Sequence, residues 1–278
     1  MFSGDGGNVT AIVDDGTTLL IDSGVDSRTP ELSDAIFKAT QRPITRVINT
    51  HWHFDHTGGN TFFGSEGVTI IAQENVKTRL STVQKVPFIG MHDGPHPLQA
   101  LRTVTYSNSM TLRQGSQRLT LLHYGPAHTD GDTTIFIAPA NIVVVGDILS
   151  NPFYPIIDLA SGGSIDGMIH ALDLILTQTD EQTKIVPGHG QWPLVEIYKT
   201  IATCWRRFGS VFGGLIAAGK TMDETVASVP TKDFDAKWGS GYVPPDVFTQ
   251  MVFSSLTNST SASRQTHNSR DLRLFTAI

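Results

Sequence analysis

His51-Trp52-His53-Phe54-Asp55-His56 places three imidazoles and a carboxylate within six residues, and no other stretch constrains the fold as strongly. It follows the apolar run Ile44–Thr50 and passes directly into Thr57-Gly58-Gly59-Asn60. A short run of this kind reads as a strand, so the motif occupies the turn that ends it. Residues two apart on extended or tightly turning backbone point the same way, so one metal ion can take both His51 and His53. Asp55 and His56 come round the turn and can reach a second ion. Imidazole with an oxygen ligand beside it suits zinc.

Composition narrows the alternatives. Cys204 is the single cysteine, so neither an intrachain disulfide nor a cysteine-rich zinc site can form, and a metal must be held by His and carboxylate. The 278 residues, 39% hydrophobic and 17% charged, suffice for one large α/β domain or two small ones. A formal net charge of −6 argues against a nucleic-acid partner, and no apolar run is long enough to span a membrane. The expected partner is a small-molecule substrate, with the oligomeric state open. Met1-Phe2-Ser3-Gly4 has neither the basic start nor the apolar stretch of a signal peptide. Asn8–Val13 already reads as a core strand, so loss of an upstream strand and secretion signal is one reading and implies a periplasmic or secreted protein. A cytoplasmic chain is the other.

Asn8–Val13 and Thr17–Ile21 flank Asp14-Asp15-Gly16 and predict a hairpin. Thr29-Pro30 opens a helix. Val68–Ala72 is a strand, Glu74–Val83 a helix, and 86–100 a Pro-, Gly- and His-rich loop that could overhang a pocket. Thr103–Tyr106, Met110–Leu112 and Leu119–His123 alternate like half-buried antiparallel strands. Ile142–Val145 is apolar throughout and so central. Ser164–Leu176 is an amphipathic helix, Lys184–Pro187 a last strand, and Leu194, Ile197, Tyr198, Ile201, Trp205 and Phe208 mark a long helix. Thr221-Met222-Asp223-Glu224 is a capping box that opens another. Two strand-rich halves each contain a strand ending in an acidic turn, Leu19–Asp22 and Val143–Asp147. Packed face to face with helices outside, they make an α/β four-layer αβ/βα sandwich with two mixed sheets. The Ser-, Thr- and Asn-rich residues 257–278 have no apolar period and are expected to be disordered.

Three further residues complete the ligand set. His128 sits in the turn Gly125–Asp132, Asp147 follows Ile142–Val145, and His189 lies between two glycines after Ile185-Val186-Pro187. The pattern HxHxDH…H…D…H resembles the metallo-β-lactamase-fold superfamily of metal hydrolases, from about Asn8 to His189. Tyr154–Leu159, Gly162-Gly163-Ser164 and Thr231–Gly239 look like a bacterial β-lactamase-like branch. The resemblance implies a domain over 1–256 that begins somewhat before Met1. It assigns one metal to His51, His53 and His128, and the second to Asp55, His56 and His189, with Asp147 bridging. The implied cofactor is two Zn²⁺ per chain; flavodiiron relatives are expected to carry Glu at the position of His53. The implied chemistry is attack on a carbonyl by a metal-bridging hydroxide, with Asp55 as the catalytic residue that orients it or shuttles its proton.

For substrate, overall branch resemblance favours ring-opening of a β-lactam-type cyclic amide. Such enzymes place Cys or Ser where this chain has Asp147, whereas thioesterases and lactonases of the superfamily share the Asp. The alternative is therefore a lactone, ester or thioester. Lactonases would carry Tyr at the position of Ser150, and the basic residues Lys199, Arg206 and Arg207 form no convincing glutathione site. A nuclease fits the acidic chain badly, and a metal-binding protein without turnover would need a defect in the ligand set. Asp130 or Asp132 could anchor a ligand imidazole, or simply cap a turn. His92, His96, His123 and His170 read as surface or loop residues. Trp52 and Phe54 read as packing, while Asn151 and Tyr154 are placed to reach a substrate oxygen.

Overall fold

The computed structural model describes residues 1–14, 16–101, 103–192 and 195–271, and in it two five-stranded sheets lie face to face. The N-terminal half runs β1 (Thr10–Asp14), β2 (Thr17–Ile21), α1 (Thr29–Thr40), β3 (Ile44–Ile48), α2 (Phe54–Thr57), α3 (Asn60–Ser65), β4 (Thr69–Gln73), α4 (Glu74–Leu80), β5 (Gln84–Val86), β6 (Met91–Asp93) and β7 (Thr103–Tyr106). The C-terminal half runs β8 (Ser109–Gln114), β9 (Gln117–Leu122), β10 (Thr134–Ala138), β11 (Ile142–Asn151), α5 (Ile165–Leu176), β12 (Lys184–Gly190), α6 (Val195–Ala217), α7 (Met222–Ala227), α8 (Lys232–Trp238) and α9 (Pro245–Asp271). The sheet orders are β1-β2-β3-β4-β7 and β12-β11-β10-β9-β8. Each mixes parallel and antiparallel pairs.

Alternation along the strands makes the layers. Leu19, Ile21, Ile48 and Ile71 of the first sheet meet Leu121, Ile135, Val144 and Val186 of the second in one buried cluster. Their neighbours Leu20 and Val47 turn outward onto Ile36 of α1 and Phe63 of α3. Val143, Val145 and Ile185 likewise turn outward onto α5, α6 and α9 through Met168, Leu172, Trp205 and Met251. Helix, sheet, sheet, helix is the four-layer sandwich expected from the sequence. Ser164 caps α5 by accepting from the Gly167 amide, and Thr221 with Glu224 forms the reciprocal capping box of α7.

Several elements differ from expectation. Thr103–Tyr106 pairs parallel with β4 in the first sheet rather than joining the antiparallel strands of the second. Its alternation registers half-burial but says nothing of its neighbour, and parallel pairing is possible because residues 74–102 supply the crossover. Helix α4 stops at Leu80, and the region expected as loop contains the β5–β6 hairpin. Helix α9 continues past Leu256 to Asp271, since no Gly or Pro interrupts it after Pro245. Residues 272–278 of the expected tail lie outside the described residues, as do Asp15 of the first turn and Leu194.

Strand β11 breaks register twice, at Val144/Gly146 and Gly146/Ser150. Gly146 takes φ +54°, where a Cβ would press on Thr50 at 2.7 Å. Asp147 therefore projects from a kinked strand that continues to Asn151, and His189 likewise lies within β12. Because β2, β3, β11 and β12 end at the same edge as the turn between β9 and β10, the sequence-predicted ligands converge there. Leu121→Ala, in the layer between the sheets, is expected to cost about 2–5 kcal/mol in urea unfolding; a loss under about 1 kcal/mol would contradict the placement of the core.

Candidate metal centre

His51, His53 and His128 bring one ring nitrogen each to within 4.8 Å of one another; Asp55, His56 and His189, and likewise His51, His56 and Asp147, do so with ring nitrogens and one carboxylate oxygen. All seven residues predicted from the sequence are thus assembled at one place. Asp147 lies between the groups, with Oδ2 3.2 Å from His189 Nε2 and 3.8 Å from His128 Nε2, and Oδ1 3.1 Å from His56 Nε2. Asp55 Oδ2 is 3.1 Å from His189 Nε2 and 3.6 Å from His56 Nε2.

The outward-facing nitrogens decide what the inward-facing ones can do. His128 Nδ1 lies 2.8 Å from the Ile156 carbonyl, which can only accept, so Nδ1 carries the proton and Nε2 presents a lone pair. His53 Nε2 lies 3.2 Å from Asp158 Oδ2, and His56 Nδ1 lies 2.8 Å from Asp22 Oδ2. His51 Nδ1 lies 3.1 Å from Thr50 Oγ1, whose own proton goes to Asp22 Oδ2. With these partners His51, His53 and His128 aim bare lone pairs inward, while His56 turns Nε2 toward Asp147 Oδ1. His53 Nδ1 and His128 Nε2 then face each other at 3.0 Å, a repulsive contact unless a cation lies between them. His51 Nε2 is buried without a hydrogen-bond partner. Orphaned inward atoms with anchored outward ones fit a metal centre, and carboxylate or carbonyl partners on the far nitrogen are what metal-binding imidazoles commonly have.

Electrostatics divides the rings into two kinds. Burial, reinforced by neighbouring imidazoles, holds His51 well below its ordinary value and His128 down to about 4. Burial also opposes charge on His189 and His56, but Asp147 and Asp55 overcome it, pulling His189 up to about 10 and His56 well up. Asp55 feels burial upward, yet His56 and His189 bring it down to about 2. The carboxylates thus demand positive charge beside them, supplied by protons on His56 and His189 when nothing else supplies it.

Asp22 and Asp158 were not singled out by the sequence. Asp22 accepts from the Thr50 amide at 2.7 Å and from Thr50 Oγ1 at 2.8 Å, besides holding His56. It does so at φ +64°, a conformation that non-glycine residues rarely take. The only sequence signal was its position in an acidic turn after a strand. Asp158, which also accepts from the Ser161 amide, had none. The two candidates named as imidazole anchors do other work: Asp130 pairs with Arg79, and Asp132 closes its own turn onto Thr129.

Of the remaining residues, Trp52 is buried and donates to Ser161 Oγ at 3.1 Å, while Phe54 stands 44% exposed on the wall of the adjoining cavity. Tyr154 turns its hydroxyl away to Asp235 at 2.8 Å, and Asn151 donates to the Gln191 carbonyl. His123 is half-buried and bonded to the Asp132 carbonyl rather than at the surface. His92 and His170 are exposed, and His96 pairs with Asp93. Gly7 packs so closely on His56 that a Cβ there would run into the ring.

A family model described as "Metallo-beta-lactamase superfamily" matches residues 3–189. The chain is 24% identical over 174 residues to "Metallo-beta-lactamase type 2" of Bacillus sp. (strain 170), covering 62% of each chain. It is 26% identical over 215 residues to "Acyl-coenzyme A thioesterase MBLAC2" of Homo sapiens, covering 67% of this chain and 74% of that one. The solved structure "Metallo-beta-lactamase from Pontibacter korlensis" superposes with a TM-score of 0.57 at 19% identity, over 70% of this chain and 85% of that one; at that identity the likeness concerns the fold.

The two anchors can be tested separately. Asp158→Asn is expected to weaken binding of one zinc equivalent about 10–100-fold in a chelator-competition titration, through His53, and Asp22→Asn to weaken both, through His56 and, by way of Thr50, His51. Unchanged affinity for both equivalents in both variants would show that the anchors do not support metal binding.

Proposed function

The chain belongs to the metallo-β-lactamase superfamily, and on that premise we propose that it is a two-zinc hydrolase of a small-molecule amide, ester or thioester. The observation that carries this reading is the set of inward lone pairs on His51, His53 and His128, unpartnered or opposed, beside His56, His189 and the carboxylates of Asp55 and Asp147. His51, His53 and His128 would hold one ion and Asp55, His56 and His189 the other, with Asp147 shared. Bound there, zinc supplies a water acidified toward neutral pH and a Lewis acid for the substrate carbonyl.

The chain's own residues do the positioning. Asp55 stays ionised, faces the cavity, and can accept a hydrogen bond from the attacking water to orient it or take its proton. Asp22, Asp158 and the Ile156 carbonyl fix ring orientation, so the centre is organised before substrate arrives. In the overall reaction water's oxygen joins the acyl carbon, the bond to the nitrogen, oxygen or sulfur leaving group breaks, and a proton reaches that leaving group.

Two substrate readings follow from different observations. A β-lactam-type ring agrees with the similarity to the Bacillus metallo-β-lactamase. An ester, lactone or thioester agrees with the carboxylate of Asp147 and with the thioesterase name of the human relative. Arg206 and Arg207 are engaged with Asp173 and Asp233 on exposed helix surfaces, which gives no support to a glutathione site there. The test is elemental analysis of purified protein, with turnover of a chromogenic cephalosporin, a lactone and a thioester before and after chelation. Two zinc ions per chain and chelator-sensitive turnover are expected, with Asp147→Ala and His189→Ala each losing at least about 100-fold. Full turnover by both variants with both metals retained would refute the assignment.

A further inference from the structure

A cavity of about 620 Å³ opens directly onto His53, Asp55, Asp147 and His189. Its remaining wall is assembled from segments far apart in sequence: Phe54 at the start of α2, Ile89 and Met91 from the β5–β6 hairpin, Phe153 and Ile156 after β11, and Tyr242 ahead of α9. That four separate segments each present apolar or aromatic side chains to the same space marks a shaped pocket rather than a chance depression. Phe54 is 44% and Tyr242 74% exposed, so apolar surface stands uncovered beside the metal centre.

The charge on the wall is one-sided. Among the described residues, no Lys or Arg lines the cavity, and outside the metal centre its one charged side chain is Asp5. Asp5 is itself paired with Arg28 at 3.3 Å, and both are more than half exposed. Tyr154, whose hydroxyl could have offered a donor, spends it on Asp235. An anionic group lodged against this wall would lose its water and gain no counter-charge, an unfavourable exchange. An alkyl or aryl group would cover apolar surface and gain by it.

We propose that this pocket selects uncharged carbonyl compounds carrying a bulky apolar group, and rejects those whose non-reacting end is anionic. The inference rests on the reading of the metal centre as hydrolytic for its role in turnover, but the pocket's preference is a binding property that can be measured separately. It disfavours both a ring compound bearing a free carboxylate and a conjugate whose acidic part must enter the cavity.

The test has a binding arm and a turnover arm, both on the zinc-loaded protein. In calorimetric titration, decanamide is expected to bind at least about tenfold more tightly than the same chain ending in a sulfonate, a weak zinc ligand. Phe153→Ala should weaken decanamide binding severalfold, and Met91→Lys should narrow or reverse the discrimination by supplying the missing cation. Equal or tighter binding of the sulfonate to the unaltered protein would overturn the proposal, as would absence of decanamide binding. In the turnover arm, kcat/KM for 4-nitrophenyl esters should rise from acetate to octanoate and fall about tenfold when the octanoyl chain ends in a sulfonate. Hydrolysis indifferent to chain length and charge would overturn the pocket's selectivity while leaving the hydrolase reading intact. Selective binding with no turnover of any ester, thioester or amide would do the reverse.

Discussion

A carboxylate turned away from the cavity, that of Asp22, holds the end of β2, the turn after β3 and the His56 ring in a single hydrogen-bonded unit. It fixes Thr50, whose hydroxyl in turn faces His51, so two of the inward-facing imidazoles trace their orientation to one side chain. The left-handed backbone at Asp22 is sparsely populated for non-glycine residues and is tolerated because the surrounding bonds over-determine it. Around this unit the packing is close: Gly7 leaves room for the His56 ring, Gly146 for Thr50, and Gly188 for the Asp147 carboxylate. These glycines let backbone approach the ligand residues where any side chain would displace them.

The two halves of the sandwich contribute unequally to the centre. The first sheet delivers His51, His53, Asp55 and His56 from one continuous turn, whose geometry is local. The second sheet delivers His128, Asp147 and His189 from three separate segments, which meet the first only because the apolar layer between the sheets fixes their relative placement. A metal held there would therefore couple its binding to folding across the sheet interface, since the cluster bridges the two halves at the edge where their strands end. The cavity beside it extends the same logic with opposite chemistry. The centre gathers polar atoms that lack partners, and the wall presents apolar surface that lacks a cover.

Much of this was legible in the chain because the informative residues lie next to one another or at strand ends. The apolar runs Leu19–Ile21 and Ile142–Val145 identify strands buried on both faces, which implies the sandwich. The seven ligand candidates follow from residue type and turn context. Where reading failed, the missing information was long-range. Alternation in Thr103–Tyr106 cannot say which sheet receives the strand, and nothing in Asp158 distinguishes it from Asp130 or Asp132 until the fold places it 3.2 Å from His53. Phe54 illustrates the same limit, since an aromatic residue between two ligands can pack inward as Trp52 does or form the cavity wall. Only the turn of α2 decides between them.

The central claim, that two metal ions sit among these seven side chains, is tested most directly by a crystal structure of the purified protein with anomalous diffraction measured on both sides of the zinc absorption edge. The account predicts two zinc-specific peaks, one enclosed by His51, His53 and His128 and one by Asp55, His56 and His189, with the Asp147 carboxylate between them. A single peak, or zinc bound elsewhere with the His53 and His128 rings still in contact, would contradict it.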